Sequence, residues 1–241
     1  MIEELVPAEV AARDLFGDAR THRLFDSERA LVAGAVAERV REFTTVRWAA
    51  AQCVRRLGHA PAPLLPGRLG APRWPRGLVG SLTHCAGYRA AVVARASVVS
   101  GLGIDAEPDE PLPDRVTGRV ASAGELRHLA ALHSAHPDVR WDRLLFCAKE
   151  AFYKLWSPVT GRWLGFDGAE VTFAPSPGDA RGRGFVVRPA GAASGFPAVR
   201  GRWLARHGVL VAAIAVAAGE LPAVRPAADG QEGTAVTGIS S

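Results

Sequence analysis

The chain has 241 residues with 48% hydrophobic content, which is enough for one large globular domain or two small ones. Its formal net charge is +5 and its pI is 9.7, values that favour acidic partners or phosphorylated ligands. Arginine is spread along the chain rather than massed in one block, so the composition argues against nucleic acid as the partner.

Targeting and redox signals point to the cytoplasm. Cys53, Cys85 and Cys147 show no CxxC spacing, which argues for a reducing compartment and against a disulfide frame or a thiolate zinc site. Residues 1–10 lack the basic start and apolar run of a signal peptide. The longest apolar run, 209–218, is too short to span a bilayer, so no membrane partner is expected.

The N-terminal region is expected to be helical. Residues 7–16 resemble a short helix, and Ser27 is a candidate N-cap for a helix over 28–40. The threonine pair 44–45 would then cap a second helix that stops at Gly58.

Arginines gather around the expected break between these helices, at Arg39, Arg41 and Arg47. A helix N-terminus together with Arg side chains makes a phosphate site, although solvated helix-face arginines would give the same pattern. Residues 58–77 follow as an irregular surface segment rich in Pro and Gly, with Arg68 and Arg73 among them.

Two short strands are expected around a turn at Gly87, within residues 80–95. His84 alternates with Leu82 in strand phase, so it is either a satisfied core histidine or a site residue.

Residues 101–107 read GLGIDAE and end a strand with two carboxylates. Asp105 and Glu107 project from the same face because side chains alternate along a strand. Adjacent like charges need a cation, and magnesium is commonly held by one or two carboxylates plus substrate phosphates. A solvated strand end is the alternative, and GLG alone is a weak phosphate-loop signal.

A capping-box pattern from Ser122 to Glu125 opens a short helix that is expected to end near residue 132. The three histidines that follow form a poor metal set because Pro137 and the polar sequence around it indicate exposure.

The stretch 144–156 reads LLFCAKEAFYKLW and predicts a helix that begins at residue 141 or 142 and is closed by Pro158 and Gly161. Phe146, Glu150 and Lys154 form one stripe on it. Of the 29 basic residues only two are lysines, Lys149 and Lys154. A compact ammonium is what Arg cannot imitate, so the stripe is either a functional site or an exposed ion pair.

Strands are expected over 170–174 and 184–188, and residues 201–217 weakly repeat 80–96. The repeat suggests two related α/β halves, over 1–100 and 101–218. Residues 219–241 lack periodicity and predict a disordered tail.

Three motifs stand in order: GSLTHC at 80–85, GIDAE at 103–107 and FCAKEAFYK at 146–154. Together they resemble the 4′-phosphopantetheinyl transferases of the surfactin-synthetase and enterobactin-synthetase type, and the similarity extends over roughly 35–217.

The resemblance implies an α/β (α+β) fold: a pseudo-twofold monomer of two similar halves, with the active site in the cleft between them. It also implies transfer of the phosphopantetheine arm of coenzyme A to a serine of an acyl or peptidyl carrier protein, with release of 3′,5′-ADP.

The resemblance further assigns roles to residues. Glu150, Lys154 and His84 are expected to be catalytic. Magnesium is expected on Asp105, Glu107 and Glu150. The residues expected to contact coenzyme A are Arg41, Arg47, Arg68, Arg73, Ser81, Thr83, His84, Lys149 and Lys154. The family often carries a lysine before the first motif, where this chain offers only Arg68 and Arg73.

Two other functions would use similar residues. A magnesium-dependent small-molecule kinase would also need a Walker-type or Gly-rich loop, which this sequence lacks. A non-catalytic module for coenzyme A would not need Glu150 or an inward-facing lysine.

Overall fold

A computed structural model describes residues 1–19, 23–174 and 184–221 of the chain. Its secondary structure consists of eight strands and five helices within these ranges, apart from short 3-10 turns. In chain order they are β1 (Ala11–Phe16), α1 (Asp26–Ala30), α2 (Ala37–Arg56), β2 (Leu78–Cys85), β3 (Tyr88–Arg95), β4 (Val99–Pro108), α3 (Asp114–Val120), α4 (Ala123–Ala135), α5 (Trp141–Thr160), β5 (Ala169–Ala174), β6 (Gly184–Pro189), β7 (Val199–Arg206) and β8 (Val209–Ala217).

The strands form two antiparallel sheets, one ordered β1-β3-β2 and the other β4-β8-β7-β6-β5. Helices and antiparallel sheets therefore combine in an α+β fold, which confirms the predicted class. The pseudo-twofold relation between two halves stays a prediction.

Strand alternation explains how the sheets are buried. In β3, Ala91 and Val93 pack with the apolar face of α2, whereas Ala90 and Val92 pack toward the second sheet. In β8, Leu210 and its alternate neighbours pack beneath α5, and the other set faces the first sheet. The two sheets thus share one core, and each carries a long helix on its outer face.

The two sheets also meet edge to edge, where β2 lies beside β4. The backbone N–H of Ile104 donates to Ser81 Oγ (3.1 Å), and the N–H of Ala106 donates to Thr83 Oγ1 (3.0 Å). Hydroxyl side chains therefore replace a backbone ladder along this junction, which joins the strand of the first motif to the strand of the second.

The predicted helix over 7–16 is wrong, because residues 11–16 form strand β1. Each residue from Ala11 to Phe16 has a partner in β3, from Val93 back to Tyr88. Pairing with a buried neighbouring strand has outweighed the local helical pattern.

The predicted break in the next helix is also wrong. Ser27 lies inside the short α1, and the threonine pair lies in the middle of a continuous α2. Thr44 Oγ1 donates to the carbonyl of Val40 (2.6 Å) and Thr45 Oγ1 to that of Arg41 (2.8 Å). The hydroxyls therefore bond back along the helix instead of capping a new one, and no helix begins at the threonine pair. Arg39 lies in the first turn of α2, and Arg41 and Arg47 lie further along the same helix.

The central helix begins at Trp141, as predicted, but it continues past Pro158 to Thr160. Gly161 ends it in the left-handed conformation with φ 64°, which glycine adopts without strain. The capping box opens α4 as predicted, with Ser122 Oγ accepting from the N–H of Glu125 (3.1 Å), and α4 runs on to Ala135.

Both predicted hairpins are present, as β2–β3 and β7–β8, with positive φ at Gly87 and Gly208 in their turns. Strands β5 and β6 also agree with the prediction. Of the predicted tail, residues 222–241 lie outside the described residues, while the side chain of Leu221 is buried. No helix in the described part of the chain is long and apolar enough to cross a membrane.

Candidate active site

Glycines in β4 allow α5 to lie directly against this strand. A Cβ at Gly103 would overlap the carbonyl oxygen of Ala151, and a Cβ at Gly101 would come within 3.1 Å of the Leu155 side chain. The GLG sequence is therefore a helix-packing feature rather than a phosphate loop. It brings the Glu150 and Lys154 stripe of α5 over the carboxylates of β4.

Asp105 lies at the centre of the resulting cluster. Lys154 Nζ is 2.6 Å from Asp105 Oδ1, and the Thr83 hydroxyl donates to the same oxygen at 3.2 Å. Asp105 Oδ2 is buried and has no hydrogen-bond partner. A buried carboxylate oxygen without a partner costs free energy, so this atom is poised for a further ligand.

The Lys154 ammonium stays charged in this environment. Burial alone lowers the pKa of Lys154, but the Asp105 and Glu150 carboxylates outweigh it and raise the pKa above its ordinary value. The side chain therefore acts as a fixed positive charge and is poorly suited to donate a proton.

Two more carboxylates share the electrostatic field of Asp105. Burial and the Asp105 charge raise the pKa of Glu150 from 4.5 to about 7. Burial and Asp105 also raise the pKa of Glu107, although Arg143 opposes the shift through an ion pair between Nη1 and Glu107 Oε2 at 3.0 Å. Glu107 and Glu150, whose ionisation the Asp105 charge disfavours, form with Asp105 a set that a divalent cation would stabilise.

The three carboxylates suit magnesium for two reasons, their ligand type and a carboxylate oxygen that lacks a hydrogen-bond partner. All are hard oxygen ligands, and the unpartnered Asp105 Oδ2 belongs to one of them. Across the described residues, no three His, Cys, Asp or Glu side chains are gathered closely enough to hold a metal ion as they stand. Lys154 and Arg143 instead neutralise two of the carboxylates.

His84 leaves β2 on the side opposite Thr83 and faces α2. Its Nε2 lies in hydrogen-bond contact with Arg39 Nη1, and its Nδ1 is 3.6 Å from Glu42 Oε2. Burial, and then the charges of Arg39 and Lys154, lower the pKa of His84 to about 4. The imidazole is therefore neutral near pH 7, with Nε2 accepting from Arg39 and the proton on Nδ1.

Ser81 and Thr83 were expected to contact coenzyme A, but both side chains are buried between β2 and β4. Their hydroxyls accept backbone N–H groups of β4, at Ile104 and Ala106. Alternation along β2 turns both hydroxyls toward the neighbouring strand, and only Thr83 touches the cluster. Their contact with coenzyme A stays a prediction.

Lys149 was also expected to contact coenzyme A; that contact stays a prediction, and its ammonium is bonded inside the protein. Its Nζ donates three hydrogen bonds of 2.8 Å, to the carbonyls of Val120 and Phe166 and to Glu125 Oε2. The side chain is 3% exposed and lies far around the helix from the Lys154 stripe. Lys149 is therefore a buried structural cation.

Glu125 completes this buried hydrogen-bond network. Its Oε2 also accepts the N–H of Ser122 (2.8 Å), and its Oε1 accepts the N–H of Val171 (2.8 Å). The Lys149–Glu125 pair thereby connects α5 with α3, α4 and β5. All three hydrogen-bond donors of the Lys149 ammonium are therefore used inside the protein.

The arginines expected at the 3′-phosphate of coenzyme A differ in their surroundings. Arg47 is mostly buried, where its Nε lies 3.6 Å from Glu28 Oε1 and its guanidinium lies 4.0 Å above the Phe43 ring. Burial lowers its pKa to about 10. Arg41 is half-exposed and pairs with Asp18 at 3.2 Å, and Arg39 is half-exposed beside His84.

Arg68 and Arg73 belong to the segment before β2. Arg68 lies beside Gly161, where a Cβ would be 3.7 Å from its Cδ, and Arg73 folds over Gly67. Within the described residues, neither forms a hydrogen bond or ion pair with the Asp105 cluster. Their contact with coenzyme A stays a prediction.

The cysteines offer no competing nucleophile. Burial raises the pKa of Cys53 and of Cys85 to about 12, and it raises that of the fully buried Cys147 well above its ordinary value. All three are free thiols. Thiolate chemistry at neutral pH is therefore disfavoured.

Sequence reasoning missed two residues that contact the site, Arg143 and Glu42. Arg143 lies three residues before Phe146, so it extends the Glu150 and Lys154 stripe by one turn, and this spacing was a usable signal. Glu42 gave no such signal, because its approach to His84 depends on how α2 packs on the first sheet.

Comparisons with known proteins agree with the three motifs. Residues 27–94 match the model of the 4'-phosphopantetheinyl transferase N-terminal domain, and residues 101–185 match that of the 4'-phosphopantetheinyl transferase superfamily.

Individual relatives are similar over most of the chain. The 4'-phosphopantetheinyl transferase Svp of Streptomyces mobaraensis is 48% identical over 90% of each chain. The 4'-phosphopantetheinyl transferase PptT of Mycobacterium tuberculosis is 43% identical over 89% of this chain and 97% of its own. Enterobactin synthase component D of Salmonella typhi is 33% identical over 56% of this chain and 55% of its own.

Proposed function

Because the chain belongs to the 4′-phosphopantetheinyl transferase family, we propose that its Asp105 cluster catalyses transfer of the phosphopantetheine arm to a serine hydroxyl of a carrier protein. The enzyme class follows from that membership, with coenzyme A as the substrate and carrier proteins as the partners. The serine acceptor, the magnesium requirement and the release of 3′,5′-ADP are parts of the proposal. We further propose that the enzyme is a monomer that acts in the cytoplasm.

The proposed reaction exchanges one phosphorus–oxygen bond for another. The serine oxygen bonds to the phosphorus that carries the pantetheine arm, the pyrophosphate bond to that phosphorus breaks, and 3′,5′-ADP leaves. The transition state is highly anionic, so catalysis requires neutralised phosphate oxygens, an acceptor for the serine proton and excluded water.

Asp105, Glu107 and Glu150 would hold the magnesium ion. The support is the unpartnered Asp105 Oδ2 and the raised pKa of both Glu107 and Glu150. Bound magnesium would neutralise charge on the pyrophosphate oxygens. The same positive charge would relieve the repulsion among the three carboxylates.

Lys154 would stabilise the departing phosphate as a fixed positive charge. It lies 2.6 Å from Asp105 Oδ1 and remains partly exposed, so it can shift from this carboxylate toward a bound phosphate. Its raised pKa supports a role as a charge and speaks against a role as a general acid.

We assign proton removal from the serine to Glu150, acting directly or through a water molecule. Burial together with Asp105 raises the pKa of Glu150 to about 7 in the metal-free protein, and bound magnesium would lower it again. The assignment therefore rests on the position of Glu150 beside the cluster, within reach of a bound hydroxyl. Glu150 also belongs to the same helix stripe as Lys154, which keeps the base close to the cation.

His84 and Arg39 would act together on the phosphates of coenzyme A. The neutral imidazole carries no charge to offer, but its Nε2 orients the half-exposed Arg39 guanidinium. Arg39 would therefore supply the positive charge and His84 its position. Arg41 is a second candidate for the phosphate end because it is half-exposed on the same helix.

The observation that carries the proposal is the direct contact of Lys154, Asp105 and Thr83, one residue from each of the three motifs. The test incubates the purified protein with coenzyme A, magnesium chloride and an apo carrier protein. Intact mass should show one phosphopantetheine added to the carrier serine, and chromatography should show an equal amount of 3′,5′-ADP. A carrier that gains no mass, or a carrier that is still modified after its serine is replaced, would contradict the proposal.

A further inference from the structure

Arg143, in the first turn of α5, forms hydrogen bonds with the end of strand β4 and the residues after it. Its Nη1 donates to Glu107 Oε2 (3.0 Å), its Nε to the carbonyl of Glu110 (3.1 Å) and its Nη2 to the carbonyl of Pro111 (3.0 Å). All three guanidinium nitrogens thus bind one five-residue stretch, 107–111. A planar fork of this kind fixes geometry as well as charge.

The neighbouring residue adds a fourth point of attachment, since Asp142 Oδ2 accepts the N–H of Leu112 at 2.7 Å. The start of α5 therefore holds the connection after β4 at four points. Because Glu150 lies two turns further along the same helix, these four hydrogen bonds also fix the position of Glu107 relative to Glu150.

We propose that Arg143 is a positioning residue for the divalent cation of the active site. It would hold Oε2 of Glu107 and thereby present Oε1 toward the ion beside Asp105 and Glu150. This inference rests on the proposed function, since it takes the three carboxylates as the ligands of the ion. Arg143 itself touches neither the ion nor coenzyme A in this role.

A purely electrostatic role for Arg143 predicts the opposite sign. A guanidinium beside a cation site repels the ion, so removing its charge would tighten ion binding, and an ammonium in its place would change little. Positioning predicts that both substitutions weaken binding. Glutamine lacks the three-donor fork, and lysine keeps the charge but places its donors on one nitrogen, whereas the three acceptors of Arg143 are met by three different nitrogens.

The experiment titrates Mn²⁺ into the full-length protein without coenzyme A and follows the electron paramagnetic resonance signal of the free ion. Arg143→Gln and Arg143→Lys should each raise the dissociation constant about tenfold, which corresponds to about 1.4 kcal/mol. Arg140→Gln, which removes the same charge three residues earlier on the chain, should bind as the wild type does.

Two further proteins identify the cause of the change. In a Glu107→Ala background, Arg143→Gln should weaken Mn²⁺ binding no further, because the positioned carboxylate is already gone. Asp105→Asn should abolish the site. If Asp105→Asn and the wild type bind Mn²⁺ alike, the proposed metal site and this inference both fail.

If Asp105→Asn loses the site while the Arg143 variants bind as the wild type or tighter, only the role of Arg143 is overturned. The positioning role is also overturned if Arg143→Gln weakens binding equally with and without Glu107. Circular dichroism establishes that each variant is folded, and Arg143→Lys carries the test if Arg143→Gln is not.

Discussion

The two lysines of this chain occupy different environments, so the same conservative substitution should affect different properties. Lys149→Arg should reduce stability, and Lys154→Arg should reduce turnover. Each variant keeps the net charge and the helix propensity of α5, so each serves as the matched control for the other.

The expected loss for Lys149→Arg follows from its contacts. The ammonium makes three bonds of 2.8 Å in a fully enclosed space, one of them to the buried Glu125. A wider, planar guanidinium cannot meet the same three acceptors, and disrupting a buried ion pair costs about 3–5 kcal/mol when a partner is left uncompensated. Because Arg retains the charge, we expect a smaller loss of about 2–4 kcal/mol. The melting temperature should fall by about 4–16 °C.

Lys154→Arg should behave in the opposite way. Lys154 is partly exposed, and a guanidinium can still pair with Asp105, so the melting temperature should change little. In the cleft, however, the wider group should misplace the charge on the leaving phosphate. We expect turnover to fall roughly ten- to a thousandfold, or about 1.4–4 kcal/mol of transition-state stabilisation.

Urea unfolding and the intact-mass transfer assay, both run well below the melting temperature, distinguish the two effects. The reasoning is refuted if Lys149→Arg keeps wild-type stability but loses turnover. It is equally refuted if Lys154→Arg turns over at the wild-type rate, because Lys154 would then serve only as the ion-pair partner of Asp105.

Three further predictions concern pH, arginine and glycine. First, the magnesium-free protein should lose up to about 3 kcal/mol of stability as the pH rises from about 4.5 through 7, because the raised pKa of Glu150 in the folded state favours its protonated form. Urea unfolding at several pH values measures this slope, and Glu150→Gln should flatten it. Second, calorimetry should show that Arg39→Gln weakens coenzyme A binding with little loss of stability. Arg47→Gln should instead lower stability by about 1–3 kcal/mol, because the buried Glu28 loses its cationic partner and keeps only the N–H groups of Phe25 and Leu64. Equal stability of the two variants would count against this distinction. Third, Gly103→Ala should cost at least about 1–3 kcal/mol and reduce turnover, since its Cβ would push α5 away from β4; a stable and fully active variant would show that the close approach is not required.

The sequence was most informative where periodicity sets geometry. The strand period places Asp105 and Glu107 on one face, and the helix period places Glu150 above Lys154, so the members of the cluster were predictable before the fold was known. Their meeting depends on Gly103, whose packing role was not evident because GLG also occurs in phosphate loops. The contact between helix and strand therefore required the structure.

The errors arose where one residue type has two local uses. Threonine can cap a helix or bond back along it, and the environment of Thr44 and Thr45 favours the second. The orientation of the Ser81 and Thr83 hydroxyls was not predictable either, because it depends on β4, which follows only after an intervening strand.

The environment of Lys149 was also not predictable, because it depends on residues far away along the chain. Its proximity to Glu150 in sequence suggested a shared site, but its three acceptors come from segments 29, 24 and 17 residues away. A hydrogen-bond network built from such distant residues leaves no local sequence pattern. The rarity of lysine identified both residues as special, and only the tertiary contacts separate their roles.

The central claim is that Asp105, Glu107 and Glu150 hold the cation that phosphopantetheine transfer requires. Its most direct test is a magnesium titration of the transfer rate, followed by intact mass of the carrier, for the wild type and Asp105→Asn. The wild type should saturate with magnesium and stop in excess chelator, while folded Asp105→Asn should stay near background at every concentration. Near-normal transfer by Asp105→Asn at low magnesium would contradict the claim.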